Sequence, residues 1–142
     1  MTIALGSDHA GYNFKAHIRD YLVEKNHTCL DFGTFNDASV DYPDFAHPTA
    51  EAVESQKADF GIVVCGSGNG VAITTNKHAG IRCALCWQID LAVLARAHND
   101  ANMLAIPARF ITLETALLII DAFLATPFEG GRHANRVNKI TC

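Results

Sequence analysis

Short apolar segments typical of β-strands alternate along the chain with longer segments in which apolar residues recur at helical spacing. The clearest strand is DFGIVVCG at residues 59–66, a continuous β-branched run of the kind that is buried on both faces of a sheet. The four other predicted strands lie at residues 2–7, 28–33, 81–86 and 101–108. This alternation predicts a doubly wound, Rossmann-like five-stranded parallel sheet in three α/β/α layers, with a C-terminal helical extension after Gly131.

Composition limits the class of protein. The 142 residues, of which 49% are hydrophobic and 18% charged, predict a single packed domain over residues 1–142. A net charge of −4 argues against a nucleic-acid partner. The apolar runs are too short for a membrane span or a signal peptide, and five cysteines without framework spacing suit a reducing compartment. We therefore expect a cytoplasmic protein with no membrane partner.

Three polar motifs fall where predicted strands end. SDHAG (residues 7–11) follows the first strand, DYP (41–43) follows the second, and CGSGNG (65–70) follows the third. Doubly wound sheets bind their ligands beyond the carboxyl ends of the strands. The sequence therefore predicts a ligand site that is shared by these three motifs.

The glycine loop allows the backbone to approach a ligand closely. Gly66, Gly68 and Gly70 precede a predicted helix, whose first amides favour negative charge. Their spacing matches neither the P-loop nor the dinucleotide fingerprint. The loop therefore suits a small anion or a developing oxyanion, and a tight strand-to-helix turn without a ligand is the alternative.

Cys65 is the last residue of the predicted third strand, directly before that helix. A helix N-terminus favours the thiolate form of cysteine, so a nucleophilic or basic role is predicted, with simple burial as the alternative. A second pattern, CALC, gives Cys83 and Cys86 the spacing C-x-x-C. Residues three apart on a strand point to opposite faces, so we expect core packing there and no metal site.

Positive charge is concentrated near the C-terminus. Arg132 and Arg136 are four residues apart, where like charges on a helix repel each other unless an anion lies between them. Guanidinium groups match phosphate oxygens in a bidentate way, and a solvated basic face is the alternative. We expect Arg109, just past the fifth strand, to join them at the ligand end of the sheet.

Three histidines lie in motifs that point to chemistry. His9 neighbours Asp8, and the two can orient a ligand or relay a proton. His98 lies in AHND, and His133 lies in GGRHANR. No set of three or four metal ligands is evident from the spacing, and no metal or cofactor is expected.

Six segments together resemble the type B ribose-5-phosphate isomerases, in the sugar-phosphate isomerase family that also contains the galactose-6-phosphate isomerase subunits. The segments are SDHAG, DYPDFA, CGSGNG, KHAGIRCAL, ARAHNDANMLA and FEGGRHANRVNKI. The resemblance runs in order from residue 3 to residue 141. It implies one sugar-phosphate isomerase domain that works without a cofactor and interconverts ribose 5-phosphate and ribulose 5-phosphate through an enediolate, in the pentose phosphate pathway.

The resemblance also implies catalytic roles. Cys65 matches the base that moves a proton between C2 and C1 of the sugar. Some family members have serine there and use a glutamate later in the loop, but this chain has Val71 at that later position, which leaves Cys65 as the base. His98 matches the histidine that helps to open the furanose ring.

Other positions match residues that bind the substrate in the family. Asp8, His9, Tyr42 and Asn99 match contacts to the sugar. The enediolate pocket is matched by Gly66, Ser67, Gly68, Asn69 and Gly70. The phosphate ligands are matched by Arg109, Arg132 and Arg136, with His133 nearby. The family builds its site between two subunits, with the HND segment reaching across, so a homodimer or a dimer of dimers is implied.

Three hypotheses remain open at this stage. The chain is an isomerase of pentose phosphates, a related isomerase of six-carbon sugar phosphates such as allose 6-phosphate, or a non-catalytic α/β binding module. The galactose enzyme works as a pair of unlike chains, whereas this chain carries a full set of matched residues by itself. That favours the first hypothesis, with a small-molecule sugar phosphate as the partner.

Overall fold

Five parallel strands form one sheet in the order β2-β1-β3-β5-β4. The structure is a computed structural model and describes residues 1–140. Its strands are β1 (Thr2–Ser7), β2 (Thr28–Asp31), β3 (Phe60–Cys65), β4 (Cys83–Leu85) and β5 (Met103–Pro107). Its helices are α1 (Tyr12–Glu24), α2 (Pro43–Glu54), α3 (Asn69–Thr75), α4 (Ile89–Asn99), α5 (Leu113–Ala125) and α6 (Arg132–Val137). The predicted domain also includes residues 141 and 142, which lie outside the described residues.

Helices cover both faces of the sheet. Alternate strand residues such as Ile62 and Leu104 pack with α1, α4 and α5 on one face. Their neighbours Val63 and Ala105 pack with α2 and α3 on the other face. Because both faces are covered, the strands are apolar on both sides, as the run at residues 59–66 predicted. The predicted doubly wound three-layer fold is confirmed.

Pro43 disfavours a helix at the residue before it, so the sequence predicts a loop over residues 41–45. That prediction is wrong at the C-terminal end of the segment. In the structure α2 begins at Pro43 itself, and the amide of Phe45 already donates to the carbonyl of Tyr42. Proline is favoured at the first position of a helix, where its missing N–H has no partner to lose.

The predicted helical extension is present as α6. Gly130 and Gly131 precede it with φ angles of +66° and +54°, a left-handed conformation that glycine adopts without strain. These two residues turn the chain so that α6 packs against α4. Among residues 1–140, every helix is too short or too polar to cross a membrane.

The CALC cysteines lie on opposite faces of the sheet, as predicted. Cys86 is buried in the core that includes α4 and α5, whereas Cys83 packs against the core formed with α2 and α3. Burial raises the pKa of each thiol to about 12, so both stay protonated at neutral pH. These two thiols are part of the core.

The register of β3 and β5 defines two edges of the sheet. Gly61 pairs with Met103 where these strands begin, and Cys65 pairs with Pro107 where they end. We call the first the amino edge and the second the carboxyl edge. At about 3.3 Å per residue, the four steps between them separate the two edges by roughly 13 Å.

Candidate active site

A pocket of about 420 Å³ opens at the carboxyl edge. It is lined by Asp8, His9, Ala10, Tyr42, Cys65, Gly66, Ser67, Gly70, Arg109 and Phe110. All but Ala10 and Phe110 are residues predicted from the sequence. They meet here because each follows a strand of one parallel sheet, as the motif positions indicated.

The thiol of Cys65 lies in this pocket and is held by the glycine loop. Cys65 is only 4% exposed, and its Sγ accepts a hydrogen bond of 3.1 Å from the amide of Gly68. Gly68 has a φ of +74°, and a side chain there would collide with Leu85. The loop therefore requires glycine at this position to aim its amide at the sulfur.

Arg109 brings positive charge to the same place. Its amide donates to the carbonyl of Gly66 at 3.0 Å, which fixes the turn after β5 against the glycine loop. Its guanidinium lies across Gly66, since a Cβ added there would be 3.3 Å from both Nε and Nη1. A cation thus stands next to Cys65, where an anionic ligand of the pocket can bind it.

The ring of Tyr42 forms one wall of the pocket. It packs directly on Gly70, where an added Cβ would be 2.6 Å from the Tyr42 Cζ. A neighbouring cavity of about 470 Å³ shares Ser67 and Phe110 with this pocket and contains the predicted Asn69. The Ser67 hydroxyl accepts from the amide of Asn69 at 3.3 Å, which stabilises the loop between the two cavities.

Asp8 and His9 are fixed by backbone hydrogen bonds. Asp8 accepts from the amide of Gly11 at 3.0 Å through Oδ1, and this orders the turn between β1 and α1. His9 accepts from the amide of Val40 at 3.2 Å through Nδ1. When the imidazole is neutral its proton is therefore on Nε2, which makes the remaining nitrogen of His9 a hydrogen-bond donor.

The remaining predicted residues lie at the amino edge. His98 and Asn99 end α4, and the side chain of Arg82 donates to the carbonyl of Asn99 at 3.1 Å. The chain then leads into β5. Just before this strand, the carbonyl of Asn102 accepts from the amide of Gly61, the β3 residue that pairs with Met103 at the amino edge. Arg132, His133 and Arg136 belong to α6, which packs on α4.

The predicted residues therefore form two groups within one chain, about one strand length apart. Arg109 is at the carboxyl edge and does not join Arg132 and Arg136, contrary to the expectation from sequence. Helices α4 and α5 run back across the sheet, so their C-terminal ends return the chain to the amino edge. Helix α6 follows α5 and stays there.

Two rings stack in the amino-edge group. The imidazoles of His98 and His133 lie with centroids 4.0 Å apart and planes 7° apart. Burial lowers the pKa of His133, and the nearby charges of His98, Arg132 and Arg136 lower it further, against an opposing effect of Glu129. Neutral imidazole is thus the favoured form of His133 near neutral pH.

Sequence reasoning missed Glu129 and the aromatic residues of the second cavity. Glu129 lies within 3.7 Å of His98 and 3.6 Å of His133, each measured from its Oε2 to the ring Nε2. Its spacing of four residues from His133 was a possible signal, but Gly130 and Gly131 between them argued against a shared helix face. Trp87 and Phe110 reach their cavity from separate loops, which no spacing rule connects.

Together, the doubly wound sheet and a carboxyl-edge pocket that combines a thiol, a histidine and an arginine define an α/β enzyme that acts on a small anionic molecule. More specifically, the chain belongs to the ribose/galactose isomerase family, whose model matches residues 3–140. The family recognised from the motifs is confirmed.

Relatives cover nearly the whole chain. Ribose-5-phosphate isomerase B of Escherichia coli (strain K12) is 45% identical over 139 residues, which are 98% of this chain and 93% of that protein. The solved structure of ribose-5-phosphate isomerase B from Clostridium thermocellum is 51% identical with a TM-score of 0.98, covering 99% of this chain and 95% of that one. The Mycoplasma genitalium enzyme, solved with bound ribulose-5-phosphate, is 41% identical with a TM-score of 0.94 over 98% and 93% of the two chains.

Proposed function

We propose that this protein interconverts ribose 5-phosphate and ribulose 5-phosphate, with Cys65 as the base and His98 in ring opening. The activity is the one named for its relatives in Escherichia coli and Clostridium thermocellum. Ribulose-5-phosphate is bound in the structure of the Mycoplasma genitalium relative. The sugar-phosphate substrate fits the positive charge found at both edges of the sheet. Membership of the pentose phosphate pathway and the four free cysteines among the described residues are consistent with the expected cytoplasmic location.

The single observation that carries the proposal is the position of the Cys65 sulfur. It lines a pocket of the right size for a small molecule, accepts an amide hydrogen bond, and has the Arg109 guanidinium nearby. The amide donor and the neighbouring cation distinguish this sulfur from the thiols of Cys83 and Cys86, which pack in the core.

The isomerisation step balances without a cofactor. The Cys65 thiolate takes the C2 proton of open-chain ribose 5-phosphate, and the electron pair of that bond forms a C1–C2 double bond. The carbonyl oxygen at C1 becomes the enediolate oxygen, which we expect loop amides and Arg109 to stabilise. The resulting thiol returns the proton to C1 while the C2 hydroxyl proton moves to O1, so that C2=O and a C1 hydroxyl form and ribulose 5-phosphate is released.

The amino-edge residues reach this pocket only from another chain. His98, Arg132 and Arg136 lie about one strand length from Cys65 of their own chain, too far to touch the same sugar. We propose that two chains associate so that the carboxyl edge of one meets the amino edge of the other. Each pocket then receives ring-opening and phosphate-binding groups from its neighbour, as the resemblance implied for a homodimer or a dimer of dimers. Anchoring the phosphate at a distance from C1 and C2 supplies binding energy for positioning.

A direct test is a coupled assay of the purified protein with ribose 5-phosphate in the presence of EDTA. We expect turnover that EDTA does not change, and we expect Cys65→Ala to abolish it while ribose 5-phosphate still binds. A general base contributes about 10²- to 10⁴-fold to the rate, so the loss should be at least that large. Near wild-type turnover by Cys65→Ala would refute the base assignment, and turnover of allose 6-phosphate alone would favour the six-carbon hypothesis.

A further inference from the structure

Glu129 lies beside the Nε2 edges of the two stacked imidazoles at the amino edge. Its Oε2 is 3.7 Å from Nε2 of His98 and 3.6 Å from Nε2 of His133. The Glu129 side chain is 59% exposed, whereas that of His133 is only 10% exposed. An exposed carboxylate thus lies beside a pair of stacked rings.

Backbone hydrogen bonding and a glycine turn fix the position of this carboxylate. The amide of Glu129 donates to the carbonyl of Ala97 at 3.0 Å, which ties residue 129 to the last turn of α4 next to His98. Gly130 and Gly131 then reverse the chain with positive φ angles, and open space surrounds both α-carbons where a side chain would be. The two glycines therefore allow the turn, and the turn places the ring of His133 against the ring of His98.

The cluster offers three metal-ligating atoms within 4.8 Å of one another, but its ring geometry does not suit a metal ion. An imidazole binds a metal through a lone pair that lies in the plane of the ring. Two rings whose planes differ by 7° and whose centroids are 4.0 Å apart cannot both contain the same ion in their planes. The arrangement instead suits a carboxylate that accepts a hydrogen bond from a ring N–H.

We propose that Glu129 is a positioning residue for His98, accepting a hydrogen bond from Nε2–H so that Nδ1 is left as the nitrogen that meets the sugar. The inference rests on the proposed function, in which His98 opens the furanose ring. In a neutral imidazole, the hydrogen bond made by one nitrogen decides the state of the other. Apo structures often show such catalytic contacts longer than in the substrate complex, and the exposed Glu129 side chain is free to close the remaining gap.

His133 restricts the His98 ring without competing for its role. Its ring stacks on that of His98, and its lowered pKa favours the neutral form of His133. Arg132 and Arg136 on α6 add positive charge near the His133 ring. Glu129, with Oε2 3.7 Å from Nε2 of His98, is the carboxylate of this cluster that can balance an imidazolium form of His98.

Both proton transfers of ring opening can then be carried out by the His98 side chain. Nδ1 of His98 takes the proton of the anomeric O1 hydroxyl, C1=O1 forms, and the bond from C1 to the ring oxygen breaks with its electron pair going to that oxygen. The imidazolium gives the same proton to the ring oxygen. Glu129 keeps the second ring nitrogen protonated throughout and stabilises the transient positive charge.

The test compares two reactions of Glu129→Gln. The first is the isomerisation of ribose 5-phosphate, which exists mainly as a furanose and needs ring opening. The second is the exchange of a C1 hydrogen of ribulose 5-phosphate with D₂O, followed by NMR. Ribulose 5-phosphate has no furanose form because its 5-hydroxyl is esterified, so exchange needs enediolate formation without ring opening. We expect Glu129→Gln to lower isomerisation at least about 10-fold, within the contribution of a proton-transferring group, and to leave exchange within about 2-fold of wild type.

Three variants separate the possible outcomes. Glu129→Asp keeps the charge and should recover part of the isomerisation rate, whereas Glu24→Gln, an exposed carboxylate at the end of α1, should change neither reaction. Cys65→Ala should lose both reactions, and retention of exchange there would overturn the proposed function itself. Equal losses of isomerisation and exchange in Glu129→Gln, or no loss in either, would overturn the role of Glu129 alone.

Discussion

At the residue scale, the hydrogen bond to the Cys65 sulfur depends on a backbone conformation that only glycine adopts easily. Gly68 donates to the Cys65 thiol from a left-handed conformation, and Leu85 occupies the space that a side chain would need. Two effects therefore oppose any substitution, strain of the backbone and a collision with Leu85. The same two effects would shift the amide away from the sulfur.

We expect Gly68→Ala to lower the free energy of unfolding by about 1–3 kcal/mol and to reduce kcat. The matched control is Gly130→Ala, where φ is also positive but nothing lies within 4 Å of the added methyl group. The free energy of unfolding measured in urea should fall less for Gly130→Ala, because only backbone strain opposes the substitution there. Equal losses in the two variants would show that contact with Leu85 is unimportant.

The sequence predicts many residues of the site but not their grouping. Cys65 and Asp8 could be placed at one edge because each follows a predicted strand. The contact between Glu129 and His98 could not be predicted, because it arises from two left-handed glycines and the packing of α6 on α4. Neither periodicity nor motif spacing contains that information.

At the element scale, the existence of strands and helices is set by apolar periodicity, and their ends are set by local hydrogen bonds. The predicted strand at residues 81–86 shortens to the three residues of β4, which is an edge strand with one neighbour. Conversely, α2 begins earlier than predicted because Pro43 suits its first position. Ends depend on partners that a linear pattern does not reveal.

The N-terminal end of helix α5 can be tested by mutation. The Thr112 hydroxyl accepts from the amide of Thr115 at 3.2 Å, which caps the N-terminus of the helix. We expect Thr112→Ala to lower stability by about 1 kcal/mol, or roughly 2–4 °C in Tm for a chain of this size. Thr112→Ser keeps the hydroxyl and should stay near wild type in thermal unfolding; a loss as large as that of alanine would exclude the cap as the cause.

At the scale of the whole molecule, the predicted site residues of one chain are divided between the two edges of the sheet. Cys65 and Arg109 lie at one edge, and His98 and Arg132 lie at the other. The alternation of strands and helices predicts the sheet, but it does not say on which edge α6 ends. Residues that the sequence assigned to one ligand end therefore lie at opposite edges of the sheet within one chain.

Mixing inactive variants tests whether two chains complete a site together. We expect Cys65→Ala and the double variant Arg132→Ala/Arg136→Ala to have little activity at moderate substrate concentration, the second through a sharply raised KM. When subunits are exchanged at equal amounts, half of the dimers are mixed, and each mixed dimer has one intact site and one doubly altered site. Activity should therefore return to about a quarter of the wild-type value for an isologous pair.

The control for this experiment is a mixture of Cys65→Ala with Gly68→Ala, both at the carboxyl edge. No site in that mixture can combine two unaltered halves, so activity should not rise above that of the separate variants. Unchanged KM in the double arginine variant would refute the phosphate role of Arg132 and Arg136. Failure of complementation despite verified subunit exchange would refute the shared site.

The length of β5 has a consequence for how the protein works in solution. Cys65 lies where β5 ends, whereas the guanidinium groups of Arg132 and Arg136 lie on α6 at the edge where β5 begins. With the proposed shared site, a solitary subunit is expected to be inert however well folded, and progressive dilution should cause specific activity to fall in step with dissociation. A freshly made chain would begin to turn over sugar only after it had found another.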